Sequence, residues 1–233
     1  MEKCSNKRLM VLILPQNEMF GFLILSLIPL ALGVQISDGP PPVWQKALMA
    51  RYIIRTTGYV SIATISVQDE IKGYPFATIK SISDGPADNS TGNVYLYMSD
   101  MELSQQDLEK DNRCTILASL AEVGYCESKN YDPQDPRCAK AIMSGRLVKV
   151  NNETSEYEFA RNALLEKHPA MKSWPTDHGF FVSKLDIELI EVLDFFGGIS
   201  KVSKEDYFNA NPDSQVEDNV LYDRIDIIDV QMV

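Results

Sequence analysis

From residue 43 onward the alternation of apolar and polar positions changes period several times, and each change marks an element. Trp44, Leu48, Arg51-Tyr52 and Arg55 recur at helical spacing, which predicts a helix from Val43 to about Thr56 ended by Gly58. The period then falls to two. YVSIATIS (59–66) and PFATIKSIS (75–83) read as strands around a turn at 69–73, and VYLYM (94–98) as a short third strand. Leu103 to Glu109 predicts one or two helical turns. Thr115 to Leu120 and AIMSGRLVKV (141–150) give a fourth and a fifth strand, and Gly145 suggests a bulge or a close backbone approach. Thr154 to Lys167 is the clearest helix: Tyr157, Arg161 and Leu164 share a face with Ala160, Ala163 and Leu165 nearby, and Pro169 stops it. A sixth strand follows over 179–190 and a seventh over 190–195, and Ser203-Lys204-Glu205-Asp206 opens a short helix. Short strands broken by two substantial helices predict a barrel-like α+β domain, because parallel crossovers would need more helices.

The N-terminus adds a compartment. Met19 to Gly33 (MFGFLILSLIPLALG) is an apolar run too short to span a bilayer comfortably, ending in small residues, with Lys3, Lys7 and Arg8 before it. Residues 1–33 are read as a signal peptide cleaved after Gly33. A retained signal anchor and a start at Met19 are the alternatives. Residues 34–43 form a Pro-rich linker, 44–210 the folded domain, and 211–233 an acidic tail expected to be mobile. No later apolar run reaches spanning length, so no stable membrane insertion is expected after cleavage.

Two sequons, Asn89-Ser90-Thr91 and Asn152-Glu153-Thr154, fall in expected loops, where a glycan must sit. Together with the leader they predict a glycosylated protein of the secretory pathway, modified at Asn89 and Asn152. The chain carries a net charge of -11, which becomes -12 when the leader, with three basic and two acidic side chains, is removed. Such a surface repels nucleic acid and anionic lipid, and no basic patch with interleaved aromatics offsets it.

Cleavage would leave three cysteines. Cys126 and Cys138 flank a polar loop and make the better pair, while Cys114 reads as a buried small hydrophobe; the alternative is that all three stay reduced. Between the pair, two Asp-Pro steps (Asp132-Pro133 and Asp135-Pro136) stiffen a loop that is also a candidate recognition surface. The two histidines, His168 and His178, have no recognised metal-ligand spacing; a helix-end contact and a polar contact beside a strand are their expected roles. Ser83-Asp84-Gly85-Pro86 reads as a chain-reversing turn, and functionally as the rim of an anion or cofactor pocket. No catalytic, cofactor or metal residue is assigned.

Taken together, YVSIATIS, GYPFATIKSISDGP, VYLYMSDMELSQQDLEKD, YDPQDPRCA, SGRLVKVNNET, EKHPAMKSWP and LDFFGGISKVSKEDYFN resemble the CREG family of secreted and lysosomal glycoproteins, over about Trp44 to Ala210. The combination of HPxMKxWP with LDxFGG is the specific part. The resemblance implies a split β-barrel related to the FMN-binding pyridoxine-phosphate oxidase group, forming a homodimer without bound FMN. It also implies glycan-dependent binding to the mannose-6-phosphate/insulin-like growth factor II receptor, passage to endosomes and lysosomes, and a part in growth control and differentiation. Asn152 matches a family glycosylation position. Loss of FMN agrees with the residues, since a flavin phosphate needs convergent cations and hydroxyls, whereas Lys80, Ser81, Arg113 and Lys149 are scattered along the strands. The alternative is an FMN-dependent oxidoreductase or a small-ligand-binding pseudo-oxidase. Met98, Leu120 and Phe195 are named as dimer-interface candidates that could equally be core.

Overall fold

The computed structural model describes residues 39–212. The leader, the first part of the linker and the acidic tail from 213 lie outside the described residues.

The strands are β1 (Tyr59–Ile65), β2 (Pro75–Ser83), β3 (Tyr95–Ser99), β4 (Arg113–Ser119), β5 (Lys140–Lys149), β6 (Phe180–Leu193) and β7 (Ser200–Val202). The helices are α1 (Lys46–Thr56), α2 (Leu103–Lys110), α3 (Tyr125–Ser128), α4 (Ser155–Lys167) and α5 (Lys204–Asn209). All strand pairs are antiparallel, in the order β3-β2-β1-β4-β5-β6-β7, and β3 also pairs with β6. The first six strands therefore close into a barrel, which leaves no edge among them. The alternation expected from the sequence is visible in β1, where Val60, Ile62 and Thr64 are buried and Tyr59, Ser61 and Ile65 are exposed.

The inward side chains form one core that includes Ile62, Ile82, Leu96, Met98, Ile116, Leu120, Met143 and Ile190. Helix α1 adds Ala50, Ile53 and Ile54, all fully buried at helical spacing. Met98 and Leu120, expected as possible interface residues, are fully enclosed here, whereas Phe195 is exposed. A second, smaller core lies outside the barrel: Tyr95, Val150 and Val182 pack against Ala160 and Leu164 of α4. The buried stripe of α4 is thus Ala160, Ala163 and Leu164, and Arg161 stands beside it rather than on it.

The strand boundaries at the C-terminal end differ from the sequence pattern. The segment 179–195 is one strand ending at Leu193, and the additional strand comes later, at Ser200–Val202. The apolar run over 190–193 continues the same β5 and β7 pairings, so periodicity had no break to detect. Gly145 does mark a register shift between β5 and β6, and a Cβ there would stand 2.1 Å from the Asp186 carbonyl oxygen.

The turn after β4 contains a half-buried acid. Ser119 and Glu122 form a capping box in which the Ser119 amide donates to Glu122 Oε1, while Glu122 Oε2 has no partner. Desolvation pushes this carboxyl up from 4.5 to about 7. Between those values the folded chain holds a proton that the unfolded chain has released, so this group adds stability below about 4.5 and loses it as pH rises toward 7. Asp111 and Asp135, pulled down to about 2 by Arg113 and Arg137, act only at lower pH. The thermal midpoint should therefore fall between pH 5 and pH 7 in the native chain, and Glu122→Gln should flatten this dependence. An unchanged pH dependence in the variant would contradict the assignment.

Candidate functional site

The turn leaving β2 is built around Asp84, whose side chain is 1% exposed. Its carboxylate accepts from Arg55 Nη1 at 3.1 Å and from Ser90 Oγ at 2.5 Å, and its backbone oxygen accepts from Thr91 Oγ1 at 2.6 Å. Arg55 also donates to the Pro86 and Ala87 carbonyls. Arg51, one helical turn earlier on α1, donates to the Ser90 carbonyl at 2.8 Å and to Ser90 Oγ at 3.0 Å. Two arginines of one helix thus fasten both sides of the loop that carries Asn89. Gly85 is required where the loop reverses: at φ 140° its Cβ would meet the Asn89 carbonyl oxygen at 2.0 Å. Asn89 itself is exposed at the tip.

This turn also borders a cleft of about 510 Å³ lined by Arg55, Gly85, Pro86, Ala87, Glu166 and Lys167, among others. Its cations are already engaged. Arg55 serves the turn, and Lys167 Nζ donates to the Thr57 and Arg55 carbonyls at 2.6 and 3.2 Å. The cleft therefore behaves as the seam between α1, the turn and α4 rather than as an anion site.

The second sequon opens α4. Asn152 is exposed, and the sequon hydroxyl of Thr154 is the helix N-cap, accepting from the Tyr157 amide at 3.3 Å and donating to the Asn151 carbonyl at 2.6 Å. His168 ends the same helix, with its ring nitrogen Nε2 2.9 Å from the Ile82 carbonyl oxygen. The carbonyl of His178 accepts from Ser99 Oγ at 2.6 Å. Among the described residues no group of three or more His, Cys, Asp or Glu side chains is placed to hold a metal.

Cys126 and Cys138 are joined in a disulfide with their Cα atoms 5.3 Å apart. Closing a loop of this size is worth about 3 kcal/mol in the chain-entropy view. Inside it, Asp132 and Pro133 are exposed, Asp135 and Pro136 half-buried. Asp132 accepts from the Gln134 amide, and Asp135 pairs with Arg137 at 2.7 Å. The Arg137 guanidinium lies 4.2 Å from the Tyr131 ring centroid and 5.7 Å from that of Phe196, which ties the disulfide loop to the exposed Phe195-Phe196 turn. Cys114 is the free thiol of the described residues; burial raises its pKa to about 12, leaving it unreactive.

The cations named for a flavin phosphate do not converge on a common opening. Lys80 pairs with Glu102, Arg113 with Asp111 at 2.5 Å, and Lys149 lies 3.8 Å from the Phe181 ring centroid. The outward positions of β1 and β2 bear no charge. Registered neighbours Ile79, Ser61 and Leu117 form a row across β2, β1 and β4, flanked by Tyr59, Ile65 and Ala77. Ile79 is 64% exposed.

A closed six-stranded antiparallel barrel with flanking helices defines the fold class, a split β-barrel. The chain belongs to the CREG β-barrel family, whose model matches residues 41–209. It is 45% identical to Protein CREG1 of Gallus gallus over 174 residues, covering 74% of this chain and 90% of that protein. It is 38% identical to Protein CREG1 of Homo sapiens over 170 residues, with 73% and 76% covered. Identity to Protein CREG2 of Homo sapiens is 34% over 180 residues, 77% of this chain and 61% of that one. Among solved structures, a heme binding protein from Mycobacterium smegmatis superposes with a TM-score of 0.56 at 21% identity, covering 74% of this chain and 63% of that chain. At that identity the likeness shows the fold alone.

Asp84→Ala leaves the Arg55 charge without its carboxylate and should cost about 3 kcal/mol in urea unfolding. Amides of the Asn89 loop should exchange faster, while those of β5 should change little in the native state. Unchanged exchange in the loop would show that the Asp84 carboxylate does not hold it.

Proposed function

We propose that this chain is a non-enzymatic glycoprotein of the secretory and endolysosomal pathway. As a homodimer it presents glycans and loops to a receptor in growth control and differentiation. The observation that carries the reading is the placement of the two sequons. Both asparagines are exposed on turns whose backbone is anchored, Asn89 through Arg51, Arg55 and Asp84, and Asn152 through the Thr154 cap. Glycans rooted this way would project from fixed points, and fixed spacing is what a multivalent receptor rewards. The mannose-6-phosphate/insulin-like growth factor II receptor is the proposed partner, with phosphomannosyl groups supplying the anions that its charged side chains would grip.

Two further features support this reading. Lys80, Arg113 and Lys149 are each occupied within the chain, so a flavin phosphate would have to displace Glu102 or Asp111 to recruit them. The uncharged outer face of β1 and β2 offers apolar area that a second copy would cover by two-fold pairing, in a chain whose net charge otherwise keeps copies apart. The loop of Asp132, Pro133, Asp135 and Pro136 is the proposed protein-recognition surface, since the disulfide and the Arg137 contacts hold it in shape. A second reading, FMN-dependent oxidoreduction or small-ligand sensing, draws on the fold class alone.

Expressed in a eukaryotic host, Asn89→Gln and Asn152→Gln should each raise gel mobility by one glycan. The double variant should lose capture by immobilised receptor, and free mannose 6-phosphate should block capture of the native chain. The native protein should sediment as a dimer at micromolar concentration, and Ile79→Asp should shift it to monomer. Unchanged mobility of Asn152→Gln, capture without glycans or a native monomer would each contradict the corresponding part of the reading.

A further inference from the structure

The second core, beneath α4, is incompletely covered at one end. There Tyr97 of β3 and Phe180 of β6 stack with ring centroids 5.0 Å apart and planes 12° apart. Trp174, from the Pro-rich segment after α4, lies 5.1 Å from Phe180 and 6.2 Å from Tyr97. The three rings border an open slot of about 260 Å³ whose opposite wall is a helical stripe of α4 that includes Tyr157 and Arg161. Lys172 completes the rim. Trp174 remains 41% exposed despite these contacts.

The charge pattern separates this slot from the 510 Å³ cleft. Arg55 and Lys167 of that cleft are consumed by carboxylate and carbonyl oxygens, whereas no ion pair engages Arg161 or Lys172 among the described residues. These two cations stand beside the exposed Trp174 ring in a chain of net charge -11. A ring face attracts a flat apolar partner in offset or edge-on contact. A guanidinium fork grips a planar carboxylate through paired hydrogen bonds, and the ammonium adds a second positive charge. The slot is smaller than the 300–1,000 Å³ typical of drug-sized ligands, which limits the occupant to about one ring. The net negative charge of the chain disfavours a multiply charged anion.

We propose that this slot binds a single-ring aromatic monocarboxylate, its ring against Trp174 and Phe180 and its carboxylate between Arg161 and Lys172. The site is separate from the sequons, the disulfide loop and the uncharged sheet face, so it stands independently of the receptor reading.

Benzoate is the probe, with acetate and benzyl alcohol as the ring-free and charge-free controls. The chain has two tryptophans, Trp44 and Trp174, so a Trp44→Phe background assigns any fluorescence change to the slot. Calorimetry on the unaltered chain provides a reading that needs no tryptophan replaced. Saturable binding of benzoate is expected, with each control weaker by about tenfold or more. Arg161→Met and Lys172→Met keep the aliphatic stems and should each weaken benzoate by about tenfold or more, the loss expected for one charge-assisted contact, with the thermal midpoint nearly unchanged. Absence of saturable binding, equal binding of acetate, or benzoate affinity untouched in both variants would overturn the proposal.

Discussion

The rest of the molecule depends on the pairing of β3 with β6. β3 has five residues, and its register sets Tyr95 opposite Lys184 and Ser99 opposite Phe180. This pairing closes the barrel, turning Leu96 and Met98 inward to the main core and Tyr95 and Tyr97 outward to α4. Because side-chain direction alternates along a strand, a slip of one residue would exchange those two sets. The main core, the seat of α4 and the aromatic slot at its end therefore share one constraint. Tyr95 reinforces it: its hydroxyl donates to Glu156 at 3.1 Å, and Lys184 Nζ donates to the same carboxylate at 2.6 Å.

On this frame the chain's electrostatics are mostly local. Although the protein is strongly acidic, Arg51, Arg55, Lys80 and Lys167 are turned toward carboxylates and carbonyls of the fold. Arg51 and Arg55 thereby stabilise the turn that bears the Asn89 sequon. Loop fixation by Arg51 and Arg55 and the proposed non-flavin character through Lys80, Arg113 and Lys149 thus follow one pattern, cations engaged within the chain. Arg161 and Lys172 lie outside this pattern, which is why they point to a ligand.

Much of the fold was legible because its elements are amphipathic at their own periods. The strands β2 and β5 follow from spacing, the helix capped by Thr154 and stopped by Pro169 from its period and end signals, and the irregularity at Gly145 from a glycine inside a strand. The end of β6 did not, since its buried pattern runs on without a break and the chain leaves the sheet only at Asp194, whose carboxylate is fixed by Lys46. Met98 and Leu120 could not be assigned to core or interface from sequence, because either location demands an apolar side chain; barrel closure decides it. For the candidate sites, the sequons and the Asp84 turn were readable as motifs. Their anchoring by Arg51 and Arg55 was not, because those partners lie some thirty to forty positions away. The aromatic slot was missed for the same reason. EKHPAMKSWP was conspicuous as a segment, but Tyr97 joins Phe180 and Trp174 only through the β3–β6 pairing.

The central claim is that the barrel's own carboxylates and rings occupy the cations a flavin would need. It is tested most directly by the absorbance spectrum of protein secreted from a eukaryotic host, before and after incubation with FMN and removal of the excess. A folded, colourless protein that retains no flavin band is the predicted result. A retained flavin band would contradict it, showing that Lys80 or Arg113 exchanges its carboxylate partner for the cofactor phosphate.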